Sequence, residues 1–172
     1  MKSVSQSIVT IRRAAVADLP AVTRLRQHLS TAGRARRPDI YRPYLLGQTE
    51  ALFLAQLNDP GDCFYVAEIG CAVIGYAWTN TGDGTGTDGT FPRRYTYVYQ
   101  LVVDPAAQQH GAGRALLAAI EADATADGVE ELQLNVDATN EEARAFYDRV
   151  GWATVSEMRQ KLLREVRRIE RE

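Results

Sequence analysis

Two glycines two residues apart, Gly111 and Gly113, follow an apolar run ending in Leu101-Val102-Val103-Asp104-Pro105 and open an alanine-rich stretch. That order places them at the mouth of a helix just after a buried strand. The first-turn N–H groups of a helix have no partner inside it, and together with the helix dipole they favour an anion. Without a Cβ, each glycine lets a phosphate approach the backbone closely, and Arg114 adds positive charge. Each contribution is about 0.3–1 kcal/mol when exposed, so a diphosphate, which collects several at once, gains most. The plain alternative is that Gly111 and Gly113 only let the chain turn and pack.

Three kinds of phosphate loop compete for this stretch. A P-loop needs Lys after its last glycine, and Arg114 stands there instead. A dinucleotide fingerprint needs a third glycine where Leu116 stands and no loop after the strand, although Glu130 and Glu131 lie near the distance of a ribose-binding acid. The third is Gln108-x-x-Gly111-x-Gly113, taken up below with the blocks around it.

Other reactive side chains carry less. Tyr95, Tyr97 and Tyr99 share one strand face; core packing explains them most simply, and a face open on a cleft would make them an acceptor pocket. Cys63 and Cys71 lack metal-site spacing and a neighbouring His, and read as free, half-buried strand thiols. Arg34, Arg36 and Arg37 read as solvated surface, with an anionic ligand as the alternative. His28 reads as helix-edge packing and His110 as a solvated loop residue.

The elements that must hold the cradle follow from periodicity. Alternation over 8–13 predicts a first strand, and Asp18, Pro20 and the spacing of Leu19, Val22, Leu25 and Leu29 a helix over 19–29. Residues 30–48 read as irregular, with Thr49 capping a second helix. Residues 63–69 and 71–79 read as a hairpin about Gly70, and 81–90 as a mobile Gly/Thr/Asp loop. Residues 95–103 are continuously apolar or aromatic, as in a strand buried on both faces. A helix over 111–127 ends at Gly128. Leu132, Leu134 and Val136 alternate as a strand, and Thr139 and Glu142 form a capping box for a last helix. Residues 152–163 read as a final strand. The order predicts an α/β mixed sheet with helices on both faces.

These blocks together resemble the GNAT superfamily of N-acetyltransferases. Gln108-x-x-Gly111-x-Gly113 is similar to its pyrophosphate motif, Q/R-x-x-G-x-G/A. Ile11-Arg12-Arg13-Ala14 with Asp18–Val22, Val66-Ala67-Glu68 with Val73–Ala77, Leu101–Pro105, and Leu134-Asn135-Val136 with Asn140, Ala143, Phe146-Tyr147 and Gly151-Trp152 resemble its strands and helices in order. The likeness spans about residues 8–163, and implies one N-acetyltransferase domain over 1–172 with a mostly antiparallel central sheet.

The resemblance implies acetyl-CoA as cosubstrate and a small-molecule or peptide amine as acceptor, acetylated by direct attack. Leu101, Val102 and Val103 would give main-chain contacts to the pantetheine, with the N–H of Val102 or Val103 meeting the carbonyl oxygen. Gln108, Gln109, His110, Gly111, Ala112 and Gly113 would cradle the pyrophosphate, with Arg114 alongside. Asn140 would reach the pantetheine or cap its own helix. Tyr147 would be the general acid, a phenol still protonated at neutral pH, or one more core aromatic. Where relatives carry a carboxylate base, this chain has Tyr99 and Gln100, so deprotonation falls to a water relay, to Asp137, to a residue of 81–92, or to an amine that arrives neutral. The missing base keeps a non-catalytic acetyl-CoA-binding or regulatory module in view, and the incomplete fingerprint a Rossmann-type oxidoreductase.

Bulk properties set the outer bounds. A chain of 172 residues with 45% hydrophobic and 24% charged residues supports one folded domain. A net charge of −2 does not favour a nucleic-acid partner. No apolar run nears the ~18 residues of a membrane helix, and the start lacks an apolar signal core, so a cytoplasmic protein is expected. No metal is expected, and the family admits a homodimer.

Overall fold

The computed structural model describes residues 8–43, 45–108 and 110–161. They gather in two compact units: one runs up to Leu29 and resumes over Leu45–Asn135, the other starts at Ser30 and resumes at Val136.

The first unit holds a five-stranded sheet in sequence order: β1 (Val9–Arg13), β2 (Asp62–Ile69), β3 (Ala72–Gly84), β4 (Arg93–Val103) and β5 (Glu131–Leu134). The first four strands run antiparallel, and β5 joins β4 in parallel. The sheet is therefore mixed and mostly antiparallel. Both faces are covered because alternate side chains are apolar on each. Phe64, Val66, Tyr76 and Val102 pack on one face with Val22 and Leu25 of α1 (Leu19–Arg36) and Phe53 of α2 (Leu46–Leu57). The other face meets α3 (Ala112–Ala126), which buries Leu116, Leu117, Ile120 and Ala124. Asp123 of α3 accepts from Tyr65 (2.9 Å) and Arg13 (2.7 Å). Burial and this bond both hold the Tyr65 phenol above its ordinary pKa.

Several boundaries differ from the sequence expectation, each for a local reason. Helix α1 continues to Arg36, seven residues past Leu29, because Ser30–Arg36 contains no proline to stop it. Thr49 lies inside α2 and returns its hydroxyl to the Leu45 carbonyl (3.1 Å), so it does not cap that helix. Strand β3 runs to Gly84 and pairs with β4 as far as Arg93, so residues 81–84 of the expected 81–90 loop are sheet. Threonine favours strands, and the Thr81 and Thr96 hydroxyls bond across the ladder (2.7 Å). Cys63 is half-buried in β2, but Cys71 is exposed in the turn after it; neither forms a disulfide.

In the second unit α4 (Glu141–Arg149) is capped by Asn140, whose Oδ1 accepts from the Ala143 N–H (3.4 Å). The expected Thr139–Glu142 box does not form, because the Thr139 hydroxyl is given to Asp137 (2.7 Å). Arg37 pairs with Asp39 (2.9 Å) and approaches Asp137 (3.6 Å). Residues 152–161 are not a strand: they carry no regular structure, and Val155 and Met158 are exposed. Residues 162 and 163 lie outside the described residues.

Candidate functional site

The site grows from a defect in pairing along β4. On one side β4 pairs with β3 from Arg93 to Val103. On the other it pairs with β5 only from Tyr95 to Val98. Beyond Val98 the two strands part. A bulge lies at the same point: Val98 faces Thr79 and Gln100 faces Trp78, leaving Tyr99 as the extra residue.

The register decides which main-chain groups are free. The Asp104 N–H donates to the Ile74 carbonyl (2.7 Å). Backbone groups alternate sides along a strand, so Val102 also turns its N–H and C=O toward β3. Leu101 and Val103 turn theirs to the side that β5 has left. Of the three residues expected to give main-chain contacts, Val102 is thus committed to the sheet through its backbone, and its side chain is in the core. Of the two N–H groups expected to meet the carbonyl oxygen, Val102 and Val103, only that of Val103 turns to the side that β5 has left.

After β4 a tight turn leads to the glycine mouth. Asp104 accepts from the Ala106 N–H (3.0 Å) and is ion-paired with Arg24, which also donates to the Val73 carbonyl (3.0 Å). These bonds, the Ala106 N–H first, hold its carboxyl below the usual carboxylate range. His110 donates from Nδ1 to the Ala107 carbonyl (3.1 Å), since a carbonyl only accepts. Its ring is therefore engaged with its own loop. Gly111 caps α3 at φ +80°, and a Cβ there would meet nothing within 4 Å. The Ala115 N–H is the first to find an intrahelical partner, the Gly111 carbonyl (2.9 Å). The N–H groups of Ala112, Gly113 and Arg114 are left at the helix mouth. Arg114 is exposed and forms no ion pair among the described residues. Among the described residues, the open space, the N–H groups without a partner and the unpaired guanidinium suit a diphosphate. Gln108 lies in the turn before this mouth, and Gln109 lies outside the described residues.

A cavity of about 380 Å³ opens where β4 and β5 part, lined by Asn80, Tyr95, Tyr97, Tyr99, Gln133 and Asn135. The three tyrosines are therefore not core. Tyr99 is 52% exposed and stacks on Trp78 (4.5 Å between centroids) and tilts against Tyr97 (4.8 Å). Strand β4 is buried on both faces only in part: Tyr95 and Tyr97 are half-buried and Tyr99 is exposed. Asn80, Gln133 and Asn135 escaped the sequence reading. Gln133 alternates with Leu132 and Leu134 and so had a visible period-two signal, but Asn80 becomes a neighbour of Tyr97 only through the register.

None of the side chains lining the cavity is a carboxylate. Gln100 accepts from the Tyr76 hydroxyl (2.7 Å) and is not a base. Asp137 accepts from the Thr139 hydroxyl and N–H (2.7 and 2.8 Å), with Arg37 and Arg36 nearby; its pKa is lowered, and it is a poor proton acceptor. Of the 81–92 segment, Asp83 lies 4.0 Å from Arg94. In the second unit Tyr147 packs against Phe146 (5.2 Å) and Trp152 (5.7 Å). Burial pushes its phenol up to about 12.

A mixed sheet that parts beside a glycine-mouthed helix, with a cavity at the parting, offers room and donors for a phosphate-bearing carrier. The acetyltransferase (GNAT) family model matches residues 23–152, and the chain belongs to that family. Mycothiol acetyltransferases from Propionibacterium freudenreichii subsp. shermanii and Kocuria rhizophila are 35% identical over 98 residues and 38% identical over 80. These matches take in 57% and 46% of this chain but only 30% and 25% of those proteins. A tetramutant of the BH1408 protein from Bacillus halodurans has the same fold, with a TM-score of 0.86 at 24% identity, over 90% of this chain and 99% of that one. An aminoglycoside N-acetyltransferase in complex with CoA shares it at a TM-score of 0.70 and 18% identity, over 92% and 96%.

Among the described residues, no helix is long and apolar enough to cross a membrane.

Proposed function

We propose that this chain transfers the acetyl group of acetyl-CoA directly to the nitrogen of an amine held in the cavity beside Tyr97 and Tyr99. One observation carries the reading. The strand edge freed at Leu101 and Val103 and the cavity lie about one break in pairing, and the open mouth of α3 follows that strand in the same unit.

The residues divide the work. Ala112, Gly113 and Arg114 hold the diphosphate through N–H groups and charge. Gly111 leaves it room, and Gln108 flanks the loop. The main-chain groups of Leu101 and Val103 hold the extended arm of the carrier as an added strand would be held. By the family resemblance Asn140 would reach the carrier; its Oδ1 caps its own helix, which leaves its NH2 for that contact. The bound thioester supplies an activated acyl group.

The amine forms the new C–N bond as the C–S bond breaks. An N–H of Leu101 or Val103 meets the charge that gathers on the carbonyl oxygen. By the family resemblance Tyr147 would give its proton to the departing sulfur; its raised pKa keeps that proton in place at neutral pH. The amine loses its own proton to water, since no side chain lining the cavity is a carboxylate.

The same lack of a carboxylate favours a second reading, a module that binds acetyl-CoA without turnover. One experiment addresses both. Acetyl-CoA is titrated calorimetrically, and then thiol release and the mass gain of one acetyl group are followed across a panel of amines. Binding with turnover supports the transferase. Binding without turnover on every amine supports the module. No binding refutes both.

A further inference from the structure

Two side chains of the cavity are held by carboxylates beside them on the same sheet face. Asn80 donates its amide NH2 to Asp62 (2.9 Å). Gln133 donates its NH2 to Glu131, which Arg93 also holds (3.0 Å). A carboxylate only accepts, so each bond fixes which end of the amide is the NH2. The carbonyl oxygens, Oδ1 of Asn80 and Oε1 of Gln133, form no hydrogen bond among the described residues. Both side chains line the cavity.

Tyr95, Tyr97 and Tyr99 add aromatic rings to the lining of the same space, and no charged side chain lines it. Tyrosine hydroxyls and Asn135 serve donors or acceptors alike. The two anchored amides do not: each shows an acceptor. Two carbonyl oxygens beside three electron-rich rings suit N–H donors and positive charge. An anionic group would meet lone pairs and find no cation.

We infer that the cavity seats a second, unreacting ammonium group of the acceptor, so that the substrate is a diamine or polyamine, and that Asp62 and Glu131 are positioning residues that set this preference. The inference rests on the reading that an amine is acetylated at the parting of β4 and β5.

Three matched acceptors test it: butylamine, 1,4-diaminobutane and 4-aminobutanoate. The expected kcat/KM for the diamine exceeds that for butylamine about tenfold or more, the worth of one charge-assisted hydrogen bond, and 4-aminobutanoate is the poorest. Asn80→Leu and Gln133→Leu bring the diamine-to-butylamine ratio toward one. Glu131→Gln, which lets the Gln133 amide turn over, raises KM for the diamine with kcat little changed, and Glu131→Asp restores part of the loss. A wild-type ratio near one, or a preference for 4-aminobutanoate, overturns the inference. So does a protein that binds acetyl-CoA yet acetylates none of the three, an outcome that leaves the donor site standing. Failure to bind acetyl-CoA at all overturns the underlying reading as well.

Discussion

Gly111 and Gly128 bracket the same helix and make a controlled pair. Gly111 has φ +80° at the start of α3 and Gly128 φ +69° just past its end. A Cβ built on either meets nothing within 4 Å. Alanine at either position therefore carries the same backbone cost and no clash. That cost is about 1–2 kcal/mol for an L residue in the left-handed region, which lowers Tm by about 2–8 °C for a chain of this size. The two should part only in ligand binding. Gly111→Ala places a methyl where the diphosphate must approach, and an affinity loss of about tenfold is expected. Gly111→Glu brings a carboxylate to the N–H groups of Ala112, Gly113 and Arg114. It displaces contributions of up to about 1 kcal/mol each and repels the anion. The sum is about 3 kcal/mol, roughly 100-fold in Kd. Gly128→Ala should show the Tm loss and wild-type affinity. Calorimetric titration with CoA, paired with thermal unfolding, reads both quantities. A folded Gly111→Glu protein with unchanged affinity would refute the cradle, as would Gly128→Ala weakening binding as much as Gly111→Ala.

Other expectations follow from the same geometry. Tyr147→Phe should lower kcat about 100-fold with the Kd for acetyl-CoA unchanged; full activity removes the acid role. Because the folded pKa of Tyr147 is raised to about 12, its contribution to stability is complete below the ordinary phenol pKa of about 10 and is lost as pH rises toward 12. Denaturant unfolding at pH 9 and 11 should show a smaller pH-dependent loss in Tyr147→Phe than in the wild type. With no carboxylate lining the cavity, the rising limb of kcat/KM against pH should shift with the pKa of the acceptor when amines of different basicity are compared; a fixed limb between pH 4 and 7 would reveal an enzyme base. Asp104→Ala removes the cap on Ala106 and the Arg24 pair, and should cost about 1–2 kcal/mol of stability and weaken CoA binding by loosening the turn that leads to Gly111.

The sequence made the fold class legible because the relevant signals are local. The alternation in β2, the spacing of Val22 and Leu25, and the glycines at the two ends of α3 each act within a few residues. The proposed cradle is local in the same way: Gln108, Gly111, Gly113 and Arg114 lie in one short stretch at a helix terminus. The misreadings arose where a local signal had competing partners. Thr139 looked like a cap, but its hydroxyl went to Asp137 and Asn140 took the position. Residues 81–84 looked like a loop, but β4 offered them a ladder. Residues 152–161 had strand composition and take no place in the sheet.

By itself, then, the chain's order of residues determined most of the elements, the glycine-opened helix mouth and the family, since periodicity and glycine geometry are properties of neighbours in sequence. Only the tertiary structure decided that Val102 turns its backbone to β3 while Leu101 and Val103 do not, that β5 abandons β4 after Val98, and that Tyr95, Tyr97 and Tyr99 face a cavity rather than a core. The physical reason is register. Which hydrogen bonds a strand makes, and which side chains of distant segments such as Asn80, Tyr97 and Gln133 come together, depends on how strands slide against one another, and that alignment is set by the packing of the whole sheet.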